Sequence, residues 1–418
     1  MSEHGPGPES RGQIDINPIP RIAVQAFCET RETAALIDAA SSDRRMMRTH
    51  TKVHMGGLAA AVEFYQSAPT PNLVVLESRE GRDEILTHLD RLAEVCDPGS
   101  KVIVIGHVND IILYRDLLRR GVSEYMVAPV DLFDFLKTVS DLYAGPEAAP
   151  VGRTVAFIGA KGGCGASTIC HNVAWTAARI FTSDVVIADL DLAWGTAGLD
   201  FNQDPAMGIA EAVYQPERLD EVYLDRLLAK CTDHLSLLAA PASLERSYDF
   251  EESAFEGVLD VVRTNVPLVV LDVPHVWTAW SRRTLRAVDE VVLVAAPDLG
   301  NLRNAKNIMD SLRHARPNDQ PARLVLNMVG VPKRPEIKPE EFAKALEMPV
   351  LATVPFEAHL FGTAANNGQM IAETDPKHPV GEIFRSIAVA MTGRAEVKAK
   401  KKSALAPFLE KLRGRKAS

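Results

Sequence analysis

Along residues 21–143, short apolar runs alternate with longer amphipathic stretches. RIAVQAF precedes ETAALIDAA, and NLVVLE precedes a polar segment ending EILTHLDRLAEV. KVIVIG then precedes DIILYRDLLRRG, and SEYMVAP precedes DLFDFLKTVSDLY. Runs that are apolar at every position suit strands buried on both faces, and stretches with an apolar period near 3.6 suit the helices that cover them. The pattern predicts a parallel-sheet α/β domain with room for five βα units. The next stretch, 144–152, carries AGPEAAP, offers no apolar face and reads as a linker. A second series occupies 153–393, with strands TVAFIGA, DVVIADLD, LSLLAA, PLVVLDV, EVVLVAAP, ARLVLNM and VLATVPF. It predicts a larger doubly wound parallel α/β domain. Residues 1–20, rich in Gly and Pro without an apolar period, read as a flexible tail.

Composition narrows the class. With 46% hydrophobic and 24% charged residues, the 418-residue chain has the mix of a soluble globular protein, not of a disordered or fibrous one. Five cysteines without CxxC spacing read as reduced thiols and exclude a structural zinc site. No apolar run reaches the ~18–20 residues that span a bilayer, and the first residues lack a signal-peptide pattern. The expected compartment is cytoplasmic. A net charge of −9 argues against broad nucleic-acid binding, but the sign reverses in the last segment, 394–418. Residues 398–418 hold eight basic side chains against Glu410, and Leu405, Phe408, Leu409 and Leu412 form one apolar stripe if helical. Such a tail suits either an anionic membrane surface or plain solvation.

The strongest chemical signal is TVAFIGAKGGCGAST, residues 154–168. An apolar strand runs into a glycine-rich turn and then into a helical segment. Gly162, Gly163 and Gly165 let backbone N–H groups converge on an anion beside the helix N-terminus, with Cys164, Ala166 and Thr168 completing the loop. Ser167 opens the helix with a hydroxyl placed to ligand Mg²⁺, and Lys161 adds a point charge. Ala166 stands where a general P-loop has lysine, so the expectation is ATP–Mg²⁺ binding with weak or no hydrolysis. Asp189 and Asp191 end the strand of VVIADLD, and Asp272 ends that of PLVVLDV, where α/β ligand sites lie. Ser167, Asp189 and Asp272 are the candidate metal residues, and Lys161 and Asp191 the candidate catalytic ones.

KGGCGAST, with its early lysine, resembles the deviant Walker A motif of the MinD/ParA superfamily. The resemblance implies that Lys161 reaches phosphates across a nucleotide-sandwich homodimer, that Asp191 activates water and that Asp272 is the Walker B aspartate. It further implies that Asn327 contacts adenine and that the loop around Pro355 closes over the base. The N-terminal series resembles a response-regulator receiver whose chemistry is damaged. Glu77 occupies the acceptor position, Gly106 replaces the hydroxyl residue, and Ala128 stands where lysine is expected. A degenerate receiver joined to a deviant-Walker domain, with LYRDLLRRGVSEYMVAPV in the first, resembles the CpaE/TadZ family of Flp (Tad) pilus assembly proteins. That family implies a factor positioning the pilus secretion machinery, often at a pole. Its partners would be the secretion ATPase, inner-membrane assembly proteins or a polar landmark. A cycling positioning ATPase and a nucleotide-independent scaffold remain as alternatives.

Overall fold

The computed structural model describes residues 16–144, 151–241, 244 and 247–393. The basic tail and most of the linker and N-terminal tail anticipated above lie outside the described residues. The chain divides into two units, one running to Val151 with Ser311–Pro321, the other holding Gly152–Asp310 and the chain from Ala322 onward.

In the first unit, strands β1 (Ala23–Cys28), β2 (His50–Met55), β3 (Leu73–Ser78), β4 (Lys101–Gly106) and β5 (Glu124–Val127) form one parallel sheet. Their order, β2-β1-β3-β4-β5, is the flavodoxin-like one. Helices α1 (Arg31–Ser42) and α5 (Leu132–Tyr143) cover one face, burying Ile37, Phe135, Leu136 and Val139 against Val24, Ala26, Val75 and Ile103. On the other face α2 (Gly57–Tyr65), α3 (Arg82–Ala93) and α4 (Ile111–Arg119) pack Leu58, Ile85, Leu89 and Leu117 on Phe27, Val74, Leu76 and Val104. Local chemistry starts these helices. Thr30, Asp110 and Asp131 cap α1, α4 and α5 by accepting from Thr33 N, Ile112 N and Phe133 N.

The second unit is an eight-stranded sheet ordered β13-β12-β11-β6-β10-β7-β9-β8. Its strands are β6 (Arg153–Gly159), β7 (Val185–Asp189), β8 (Ala229–Thr232), β9 (Leu235–Leu238), β10 (Leu268–Val273), β11 (Glu290–Ala295), β12 (Arg323–Val329) and β13 (Val350–Pro355). All pair in parallel except the edge strand β8, which is antiparallel to β9. Helix α6 (Ala166–Phe181) is buried from Ile169 to Ala178, and it packs between the sheet and the helix Pro379–Thr392. Its burial fixes the position of the glycine-rich turn that precedes it. Among the described residues, no helix is long and apolar enough to cross a membrane.

Candidate functional site

The glycine-rich turn joins β6 to α6 as the sequence anticipates. Gly163 and Gly165 take φ of 78° and 85°, a left-handed backbone that side-chain-bearing residues rarely adopt. A Cβ on Gly165 would also lie 2.4 Å from the Asn327 amide nitrogen. Lys161, Gly162 and Gly163 are exposed, whereas Gly165, Ala166, Ser167 and Thr168 are half-buried. The result is an open cradle at a helix N-terminus, the geometry that binds phosphate. Lys161 stands at its mouth, near enough to Asp298 to help hold that carboxyl below its ordinary range. Burial opposes this, while the Asn301 backbone and side-chain N–H groups reinforce it. Cys164 faces inward, its thiol bonded to Val294 O, and burial pushes it and Cys170 up, so neither is a ready thiolate.

Beneath the cradle, Asp189 and Asp272 are register partners on adjacent strands, both buried. Asp189 accepts from Asp191 N and Ala197 N at 3.1 and 3.2 Å. Burial, and then the Asp272 charge, raise its pKa. Asp191, half-buried two residues further on, accepts from Trp194 N at 3.1 Å, and burial raises its pKa too. With Ser167 the donors are all oxygens, the set that a hard cation such as Mg²⁺ prefers. Among the described residues, no three His, Cys, Asp or Glu side chains are arranged to hold a metal unaided.

The residue that sequence reasoning passed over is His171. It is wholly buried on α6, with Nδ1 2.7 Å from Asp200 Oδ2 and Nε2 3.2 Å from Asp272 Oδ2. The first contact is a hydrogen bond, and the second is an ion-pair contact off the hydrogen-bond direction. Its spacing was the available signal, since a side chain four residues after Ser167 lies on the same helix face. Although burial opposes charge, the two carboxylates raise the imidazole pKa to about 10. The folded state thus holds a proton that the unfolded chain releases near 6.5. The stabilisation is complete below 6.5 and is lost as pH rises through about 10. In calorimetry without Mg²⁺ or nucleotide, the second unit's midpoint should fall from pH 7 to pH 10, and fall less steeply in His171→Asn.

Asn327 also sits on the loop, its amide donating to Cys164 O at 2.9 Å. It braces the glycine-rich loop. Pro355 ends the edge strand β13, opposite Val329. His275 donates from Nδ1 to Gly159 O at 2.8 Å, tying the segment after β10 to the end of β6.

No family model matches the chain. It is 53% identical to the pilus assembly protein CpaE of Caulobacter crescentus, over 31% of this chain and 98% of that structure, with a TM-score of 0.30. The chain belongs to the CpaE family of pilus assembly proteins. A ParA family ATPase from Chlorobium tepidum is 21% identical over 57% of this chain and 98% of its own, with a TM-score of 0.53. The septum site-determining protein MinD of Synechocystis is 22% identical over 253 residues, 58% of this chain and 90% of that protein. The ParA likeness shows the fold, a doubly wound parallel sheet of the P-loop kind.

In the first unit of this CpaE-family chain, the acceptor position is sealed. Glu77 is fully buried and accepts from Glu29 N and Thr30 N at 2.7 and 2.8 Å. It also accepts from the Thr30 and Thr33 hydroxyls, both at 2.7 Å, and lies 3.0 Å from His107 Nε2. Against the cost of burial, these bonds hold its pKa below the ordinary range. A Cβ on Gly106 would lie 2.1 Å from Tyr125 Oη, which donates to Val108 O at 2.7 Å.

Proposed function

We propose that this CpaE-family chain is a nucleotide-dependent positioning factor for pilus assembly. The second unit binds ATP–Mg²⁺ and forms a face-to-face homodimer, with ATP acting mainly as an assembly ligand. The carrying observation is the open glycine cradle that exposes Lys161 while Ala166 leaves the usual lysine out. Lys161 and the loop's N–H groups bind phosphate, Ser167, Asp189 and Asp272 hold Mg²⁺, and Asp191 orients water in a slow hydrolysis. Asn327 and Pro355 border the base. Bound Mg²⁺ supplies charge neutralisation between phosphates and carboxylates.

The dimer reading is supported by apolar exposure around the cradle. Trp194, Val276, Trp277 and Leu299 are 72%, 41%, 46% and 74% exposed, and each follows the carboxyl end of a parallel strand. All therefore belong to the sheet end that carries the loop. The dimer would sit in the cytoplasm at the inner membrane or a pole. There it would engage the pilus secretion ATPase, inner-membrane assembly proteins or a polar landmark, with residues 398–418 on anionic lipid.

Light scattering with and without Mg²⁺–ATP tests the core of this. The mass should double with ATP in the native chain and stay monomeric in Lys161→Ala. An unchanged mass in every condition would make the loop vestigial and the chain a scaffold.

A further inference from the structure

His171 has no role in phosphate binding as assigned above, yet it is the side chain through which three elements meet. It rises from the face of α6 that carries Ser167. Its Nε2 faces Asp272, at the end of β10, and its Nδ1 is bonded to Asp200, the last residue of the short helix α7 (Ala197–Asp200). The Phe201 ring packs against the imidazole, with centroids 5.6 Å apart.

Between Asp191 and Asp200 runs a loop carrying two of the most exposed large apolar side chains, Trp194 at 72% and Leu199 at 73%. Asp189 holds the segment at its start through Asp191 N and again at the head of α7 through Ala197 N, and the His171–Asp200 bond holds its end. These bonds lead to Asp189 and Asp272, the carboxylates assigned to Mg²⁺ above. A buried imidazole between two carboxylates from separate elements has nowhere else to turn, because no water reaches it and its ring is packed.

We propose that His171 is a positioning residue that relays occupancy of the Asp272 metal position to the 191–200 loop and so to the surface displayed by Trp194 and Leu199. The relay rests on the nucleotide reading above. Asp272 faces Nε2 through its Oδ2, so its attraction for the imidazole would weaken once that carboxylate also served a cation. The imidazole then shifts its bonding toward Asp200, and α7 and the loop move with it. A ligand changes a surface only through such a differential contact.

The test uses tryptophan emission at a concentration where the full-length chain is monomeric by light scattering, with Trp194→Phe subtracted to isolate Trp194. In the native chain, Mg²⁺–ATP should shift the Trp194 component. In His171→Asn and in Asp200→Ala that shift should disappear. Asp200→Ala should keep ATP affinity within about threefold by calorimetric titration, less than the tenfold that 1.4 kcal/mol represents. Asp200 lies outside the phosphate site, so this variant keeps the test decisive even if His171→Asn folds poorly. A Trp194 shift of full size in Asp200→Ala overturns the relay and leaves nucleotide binding intact. A native chain that binds no ATP overturns the nucleotide reading, and the relay with it.

Discussion

Glu77→Ala should destabilise the first unit by about 3–5 kcal/mol, roughly a 10–20 °C fall in its midpoint, the largest effect expected of any single change in that unit. The carboxylate is the common acceptor for two backbone N–H groups, two threonine hydroxyls and an imidazole, and its own exposure is nil. Alanine leaves those donors without their acceptor, and each buried donor without a partner costs about 1–3 kcal/mol. Partial rehydration beside the half-exposed His107 brings the sum down. Glu77→Gln should lose most of the same stability, because its amide N–H₂ turns donor toward donor. Calorimetry of the full-length chain checks both. A loss below about 1 kcal/mol would mean that the donors reach water and that Glu77 does not organise the pocket.

The same pocket shows what stands in this fold at the positions where a receiver keeps its acceptor and its hydroxyl residue. The sequence shows the damage residue by residue, and Glu77 in place of aspartate and Gly106 in place of a hydroxyl residue are both visible there. Invisible is what the changes build. The extra methylene of Glu77 carries its oxygens onto the N-terminus of α1, where Thr30 and Thr33 wait. The missing side chain at Gly106 is the space that Tyr125 fills. Such compensation is tertiary, and no local pattern announces it.

Legibility along the fold follows burial. Strands buried on both faces, such as LVVLES in β3 and LVVLDV in β10, are continuous apolar runs and read directly as parallel strands. Two strands escape that rule. β2, HTKVHM, lies at a sheet edge with its residues exposed or half-buried, so no apolar run marks it. β8, AKCT, is a four-residue edge strand turned antiparallel to β9. At the site, the loop and the strand-end aspartates were readable because glycine spacing and chain order carry them. His171 offers only its spacing from Ser167, and that spacing acquires meaning when Asp200 and Asp272 are brought to its two nitrogens. Asn327, which the resemblance places at a base, donates its amide to the Cys164 carbonyl, a contact that no local pattern announces.

The change with the largest expected gain is Ala166→Lys. Ala166 opens α6 directly after the left-handed Gly165, half-buried beside the cradle, so a lysine there would extend over bound phosphates. A charge-assisted hydrogen bond adds about 1.5–3 kcal/mol, which tightens ATP by about 10–100-fold in calorimetric titration. Unchanged affinity in a variant that melts like the native chain would mean that phosphates do not seat on this loop. Turnover discriminates further, because a lysine at that position follows the charge that develops as the phosphoryl group transfers. A slow native chain beside a faster Ala166→Lys variant supports ATP as an assembly ligand whose hydrolysis has been turned down. A native chain already as fast as the variant points to a cycling ATPase, in which Lys161 alone meets the catalytic need. The two outcomes assign opposite meanings to the same missing side chain: a brake on the switch, or a lysine whose work has moved five residues upstream.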